Sequence, residues 1–138
     1  MHWHAYRWTG NGADRNNEAE RRPSSPDFPA SLLPPMRIGD WLAKPASRVA
    51  ATFDDVRQAR EWLAAEYRKV RDVLLLPEGI PLEDRLEYAL DALPRGVDVQ
   101  WGEWLQGARF ASIGVVCCPN RHLPHPCPIR RSIGATTP

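Results

Sequence analysis

The sequence predicts a small α+β domain. It reads as an antiparallel sheet of about three strands covered by an αα-hairpin, with a long irregular N-terminal linker and a loose C-terminal tail. Two stretches of apolar residues at three- and four-residue spacing, separated by Pro77-Glu78-Gly79, predict the helical hairpin. Shorter stretches predict the strands: period-two patterning at residues 2–8 and 97–102, and a continuous apolar run within 110–117. Polar, proline-punctuated runs at 9–36 and from Pro119 onward predict the irregular parts. With 138 residues the chain has room for one domain, placed here at 1–131 including the Pro-rich segment 9–36, with 132–138 as a flexible tail.

In the first strand His4, Tyr6 and Trp8 share one side, and Trp3, Ala5 and Arg7 the other. Aromatic residues occur on both sides, so the pattern leaves open which faces the core. Residues 9–36 follow with Asn11-Gly12, Pro23-Ser24-Ser25-Pro26 and Pro34-Pro35, which is turn and linker chemistry. Thr52 ahead of Asp54 and Asp55 predicts a helix start, with a hydroxyl cap and two carboxylates at the positive end of the dipole. Phe53, Val56, Ala59, Leu63, Tyr67, Val70 and Leu74 then form one apolar stripe running to about residue 75. A second helix starts at Pro81, where a missing N–H costs nothing, and buries Leu82, Leu86, Ala89, Leu90 and Leu93 before Pro94-Arg95-Gly96 ends it. Leu63 and Val70 are expected to pack on Leu86 and Leu90. Beyond it, Val97, Val99 and Trp101 alternate with polar residues or glycine, and Ile113-Gly114-Val115-Val116 reads as buried on both faces. Gln106-Gly107 between them predicts a β-hairpin.

Charge narrows the function classes. The net charge of +1 lacks the basic excess of an electrostatically driven nucleic-acid binder. Of 18 basic residues 16 are Arg, a bias that also accompanies Ala- and Pro-rich coding and so carries little functional weight. No apolar run reaches the ~18 residues of a membrane span, and residues 1–8 lack the pattern of a secretory signal. Three cysteines do not make a disulfide framework, so a reducing cytoplasm is the expected compartment.

Chemistry concentrates near the C-terminal end. Cys117, Cys118, His122, His125 and Cys127 place three thiols and two imidazoles within eleven positions, the N and S donors that zinc prefers. Adjacent cysteines point apart in a strand, which leaves Cys118, His122, His125 and Cys127 as the candidate ligands. The spacing matches neither a zinc ribbon nor a zinc finger, and the plain alternative is a buried Cys117 with surface histidines. A Cys118–Cys127 disulfide fits the loop length but not the compartment. His2 and His4, on one face of the first strand, complete a metal site if that strand ends beside the last loop. Otherwise they belong to a frayed terminus.

Two other features stand out. Glu83, Glu87 and Asp91 recur every four residues along the second helix, where like charges repel by a few tenths of a kcal/mol per pair. A solvated helix face is the ordinary explanation, and a partner that compensates the charge is the functional one. Six tryptophans are more than a chain this short ordinarily carries. Most should fill the core, whereas Trp62 and Trp104 flank their apolar faces and could anchor a partner. G-x-S-x-G, Walker-type, G-x-G-x-x-G and H-E-x-x-H patterns are all missing, and a small sheet leaves little room for a deep pocket, so enzyme activity is not expected. The reading is a cytoplasmic accessory or regulatory protein that binds another protein through Glu83, Glu87, Asp91, Trp62 and Trp104. A zinc-stabilised nucleic-acid-binding protein using the C-terminal loop with Arg121, Arg130 and Arg131 comes second. A small metal-dependent hydrolase or nuclease built on the acidic row comes third.

Overall fold

In the computed structural model, residues 1–129 are described; the tail at 132–138, with Arg130 and Arg131, lies outside them. A fully antiparallel sheet runs in the order β2-β1-β4-β3. The strands are β1 (His2–Asn11), β2 (Ala51–Phe53), β3 (Val99–Leu105) and β4 (Arg109–Cys118), and the helices are α1 (Val56–Arg71) and α2 (Leu82–Ala92). The expected sheet-plus-hairpin architecture is present, with β2 as a further strand beside β1.

The two faces of the sheet are covered differently. Trp3, Ala5, Ile113, Val115, Cys117, Val99 and Trp101 point toward the helices and meet Leu63, Tyr67, Leu86 and Ala89. Leu63 and Leu86 are fully buried, while Val70 and Leu90 are half-buried at the margin. The opposite face carries Tyr6 and Val116, covered by Trp41 and Leu42 from residues 12–50. Tyr6 and Trp41 stack with ring centres 4.7 Å apart and planes 11° from parallel.

This covering segment is irregular, as its prolines require, yet it buries Phe28, Leu33, Trp41 and Leu42. Its carbonyls cannot join a ladder, so cationic side chains collect them. Lys44, fully buried, donates through Nζ to Phe28 O and Ser31 O, each at 2.9 Å. Burial pushes its pKa down to about 8, with Arg48 adding to the effect. Arg21 donates to Pro34 O at 2.7 Å and Arg15 O at 2.9 Å.

Element boundaries differ from the sequence reading at α1. Thr52 lies in β2 opposite His4, and Asp55 is the N-cap, accepting from Arg57 N at 2.8 Å. The helix stops at Arg71 because the chain then runs onto the free edge of β3. There Leu75 N donates to Trp104 O at 3.0 Å and Gln106 N to Val73 O at 2.8 Å. Gln106-Gly107-Ala108 joins β3 to β4, with φ of 78° at Gly107 and 57° at Ala108.

Candidate metal centre

The ladder between β1 and β4 assembles the site. It pairs His2 with Cys118 and His4 with Val116. Because strand side chains alternate, His2, His4 and Cys118 share the face turned away from the helices. Cys117 points the other way into the helix-covered core, where burial, reinforced by Asp98, pushes its thiol up to about 12. It is inert core, whereas its neighbour faces the histidines.

Cys127 reaches the same place through the loop after β4. The chain leaves through a cis Cys118–Pro119 bond. Asn120 fastens the loop to the body: its Nδ2 donates to Asp98 at 3.0 and 3.1 Å, and its Oδ1 accepts from the backbone of His122 and Leu123, each at 3.1 Å. Leu123 lies so close to Gly39 that a Cβ there would sit 2.8 Å from Leu123 Cδ1. His125 Nε2 meets Oδ1 of the buried Asp40 at 2.8 Å, while Arg37 Nε donates to Asp40 Oδ2 at 3.2 Å. Between these anchors the loop returns Cys127 to the histidines.

The resulting group is His2, His4, Cys118 and Cys127, with all ligand atoms within 4.8 Å of one another. His2 Nε2 and His4 Nε2 are 3.2 Å apart, and Cys127 Sγ lies 3.6 Å from the first and 3.4 Å from the second. Metal–ligand bonds of about 2.05 Å to nitrogen and 2.3 Å to sulfur, set tetrahedrally, require N···N near 3.35 Å and N···S near 3.55 Å. Three edges of a tetrahedron are therefore already in place.

Protonation and orientation also suit ligation. His4 is fully buried, and that burial, with His2 alongside, lowers its pKa to about 4. At neutral pH it is the uncharged imidazole that a metal needs. Its Nδ1 lies 2.9 Å from Thr52 Oγ1. Ligation through Nε2 leaves the proton on Nδ1, where that hydroxyl accepts it, so β2 supplies the outer contact that orients the ring. An open pocket of about 560 Å³, lined by His2, Cys118, His125 and Cys127 among others, provides an entry path.

Of the ligands expected from the sequence, Cys118 and Cys127 come together here. His125 is engaged with Asp40, and His122 is exposed on the loop. The other two positions of the cluster belong to the strand pair His2 and His4.

The residues expected to meet a partner do not share one face: Glu83, Glu87, Asp91 and Trp62 lie on the helices, whereas Trp104 lies on the sheet face turned away from them, beside Arg15. Glu83 lies 3.7 Å from Arg60, Asp91 lies 2.8 Å from Arg95, and Glu87 is exposed with no ion pair among the described residues. Trp62 is half-buried against the main core. Trp104 is 45% exposed, with its ring edge-on to Phe110 at 5.1 Å. Among the described residues no helix is long and apolar enough to cross a membrane. No family model matches the chain, and neither a curated protein nor a solved structure matches it.

Proposed function

We propose that this is a small zinc-stabilised binding protein, in which His2, His4, Cys118 and Cys127 hold one structural zinc ion. The observation that carries the reading is the tetrahedral spacing of the two imidazoles and Cys127, with the Cys118 thiol in the same cluster. Two N and two S donors suit zinc better than the oxygen-seeking cations. Four protein ligands close the coordination shell, which marks a structural rather than a catalytic site. The ion ties the start of β1 to the end of β4 and to the final loop, so its binding energy adds to folding energy. Thiolate ligands are retained in a reducing compartment, which favours the cytoplasm.

The binding role rests on apolar residues exposed away from the metal centre. Leu75, Leu76, Ile80, Tyr88 and Trp104 are all exposed, and they favour a protein partner. Nucleic acid is the less supported reading. Among the described residues the C-terminal loop offers one arginine, Arg121, whose guanidinium already donates to Arg95 O at 3.0 Å.

Cobalt substitution tests the metal. Chelator-treated protein titrated with Co²⁺ should develop thiolate-to-metal charge transfer and tetrahedral ligand-field bands that saturate at about one equivalent. Those bands should vanish in Cys127→Ser. A featureless titration, or an octahedral spectrum that survives in Cys127→Ser, overturns the proposal.

A further inference from the structure

The free edge of β3 runs beside a groove that is furnished for an added strand. Residues 98–103 line it without interruption on one side, and Ile80, Asp84, Arg85 and Tyr88 from α2 and its approach line the other, enclosing about 610 Å³. The β3–β4 register is continuous, so backbone groups along β3 alternate strictly between partner and edge. Trp104 O and Gln106 N face outward, since they bond to Leu75 N and Val73 O. Gln100 and Gly102 must therefore face outward too, and their N–H and C=O groups have no partner among the described residues. The chain has filled the last rung of this edge with its own Leu74, bridged to Leu105, and leaves the next rungs bare in the groove.

The groove is chemically selective. Ile80 and Tyr88 are exposed at its rim, and the buried Trp101 forms part of its wall. Glu103 is neutralised by Arg85, which donates to it at 2.5 Å. Asp84 has no ion pair among the described residues, and Asp98 also lines the groove, so the remaining charge is negative. An occupant must therefore supply backbone hydrogen bonds, an apolar side chain and a cation.

We propose that this edge binds an extended peptide segment of a partner protein, added as a fifth strand beside β3, with a Lys or Arg directed at Asp84 and an apolar residue between Ile80 and Tyr88. This rests on the protein-partner half of the function proposed above and is independent of the metal. Main-chain bonds to Gln100 and Gly102 supply affinity, and alternate side chains supply selectivity. A second copy of the chain is the competing occupant. Self-pairing would bring the Asp84 and Asp98 of both copies to one seam, whereas a basic peptide neutralises them.

The test uses the full chain, with octapeptides alternating valine with lysine, and valine with glutamate as controls, followed by fluorescence anisotropy at physiological salt. Lysine peptides should bind saturably, and glutamate peptides at least about tenfold more weakly. Gln100→Pro removes an outward N–H that the β3–β4 ladder does not use, a substitution edge strands accept. It should abolish binding while the thermal melt and zinc content stay unchanged. Asp84→Lys, at an exposed helix position, should reverse the preference toward glutamate. Equal binding by Gln100→Pro, no saturable binding of any peptide up to about 1 mM, or a preference untouched by Asp84→Lys overturns the proposal. So does a dimer in sedimentation that Gln100→Pro dissociates, because it assigns the edge to a second copy. Loss of zinc in the same samples would instead count against the metal reading.

Discussion

Thr52→Val isolates the outer contact of the metal centre. Thr52 lies in β2 opposite His4 and is exposed, so replacing its hydroxyl by a methyl group leaves strand propensity and packing nearly unchanged. What disappears is the oxygen 2.9 Å from His4 Nδ1. Without it the imidazole is free to take the other tautomer and to rotate, and both cost ligation by Nε2. Outer partners of ligating histidines are typically worth 10–100-fold in metal affinity, which corresponds to about 1.4–2.8 kcal/mol. Competition against a chromophoric chelator measures this directly, with the melt of the metal-free variant as a control for folding. Thr52→Ser keeps the oxygen and should stay within about twofold of the native protein. Equal affinities for Thr, Ser and Val at this position would refute the assigned role of Thr52.

Other expectations follow from the same geometry. Leu63→Ala empties a fully buried site between α1 and the sheet and should cost about 2–5 kcal/mol in urea denaturation; an unchanged midpoint would mean that the helix face is not core. His2→Ala should abolish stoichiometric zinc binding, whereas His122→Ala should leave it intact, as elemental analysis of the two purified variants will show. In the metal-free protein His4 is held neutral, its pKa lowered to about 4 by burial and then by His2. The unfolded chain protonates first, so this contribution is complete above the unfolded value and is lost as pH falls toward the folded one. Stability should drop by roughly 1.5 kcal/mol between pH 6.5 and 5. The His4→Asn protein should show a shallower loss in matched denaturant titrations.

How much of this was legible in the sequence depends on the range of the forces involved. The helical hairpin follows from local periodicity, and so do the strands around Trp3, Trp101 and Val115. The end of α1 does not, because the apolar spacing continues through Leu74 while the backbone at 73–75 finds a better use on the β3 edge. β2 is too short, at three residues, to carry a period. The packed segment 12–50 hides for another reason: buried cations, Lys44 and Arg21, satisfy its carbonyls, and no spacing rule encodes such contacts.

The candidate site divides in the same way. Density of thiols and imidazoles picks out Cys118 and Cys127, and period-two spacing puts His2 and His4 on one face. What joins the two pairs is the register that sets residue 2 opposite residue 118, a long-range choice fixed by packing on both faces of the sheet. Nearness in sequence instead favoured His122 and His125. The second of these is committed to Asp40, a buried carboxylate from a segment far away in the chain.

Zinc-edge X-ray absorption on protein purified without chelator reads the coordination shell of His2, His4, Cys118 and Cys127 itself. About one zinc per chain is expected, in a shell of two sulfurs near 2.3 Å and two imidazole nitrogens near 2.0 Å. Loss of one sulfur in Cys127→Ser and of one nitrogen in His4→Asn should accompany it. A metal-free protein with full native stability, or a shell made of oxygen ligands, would contradict it.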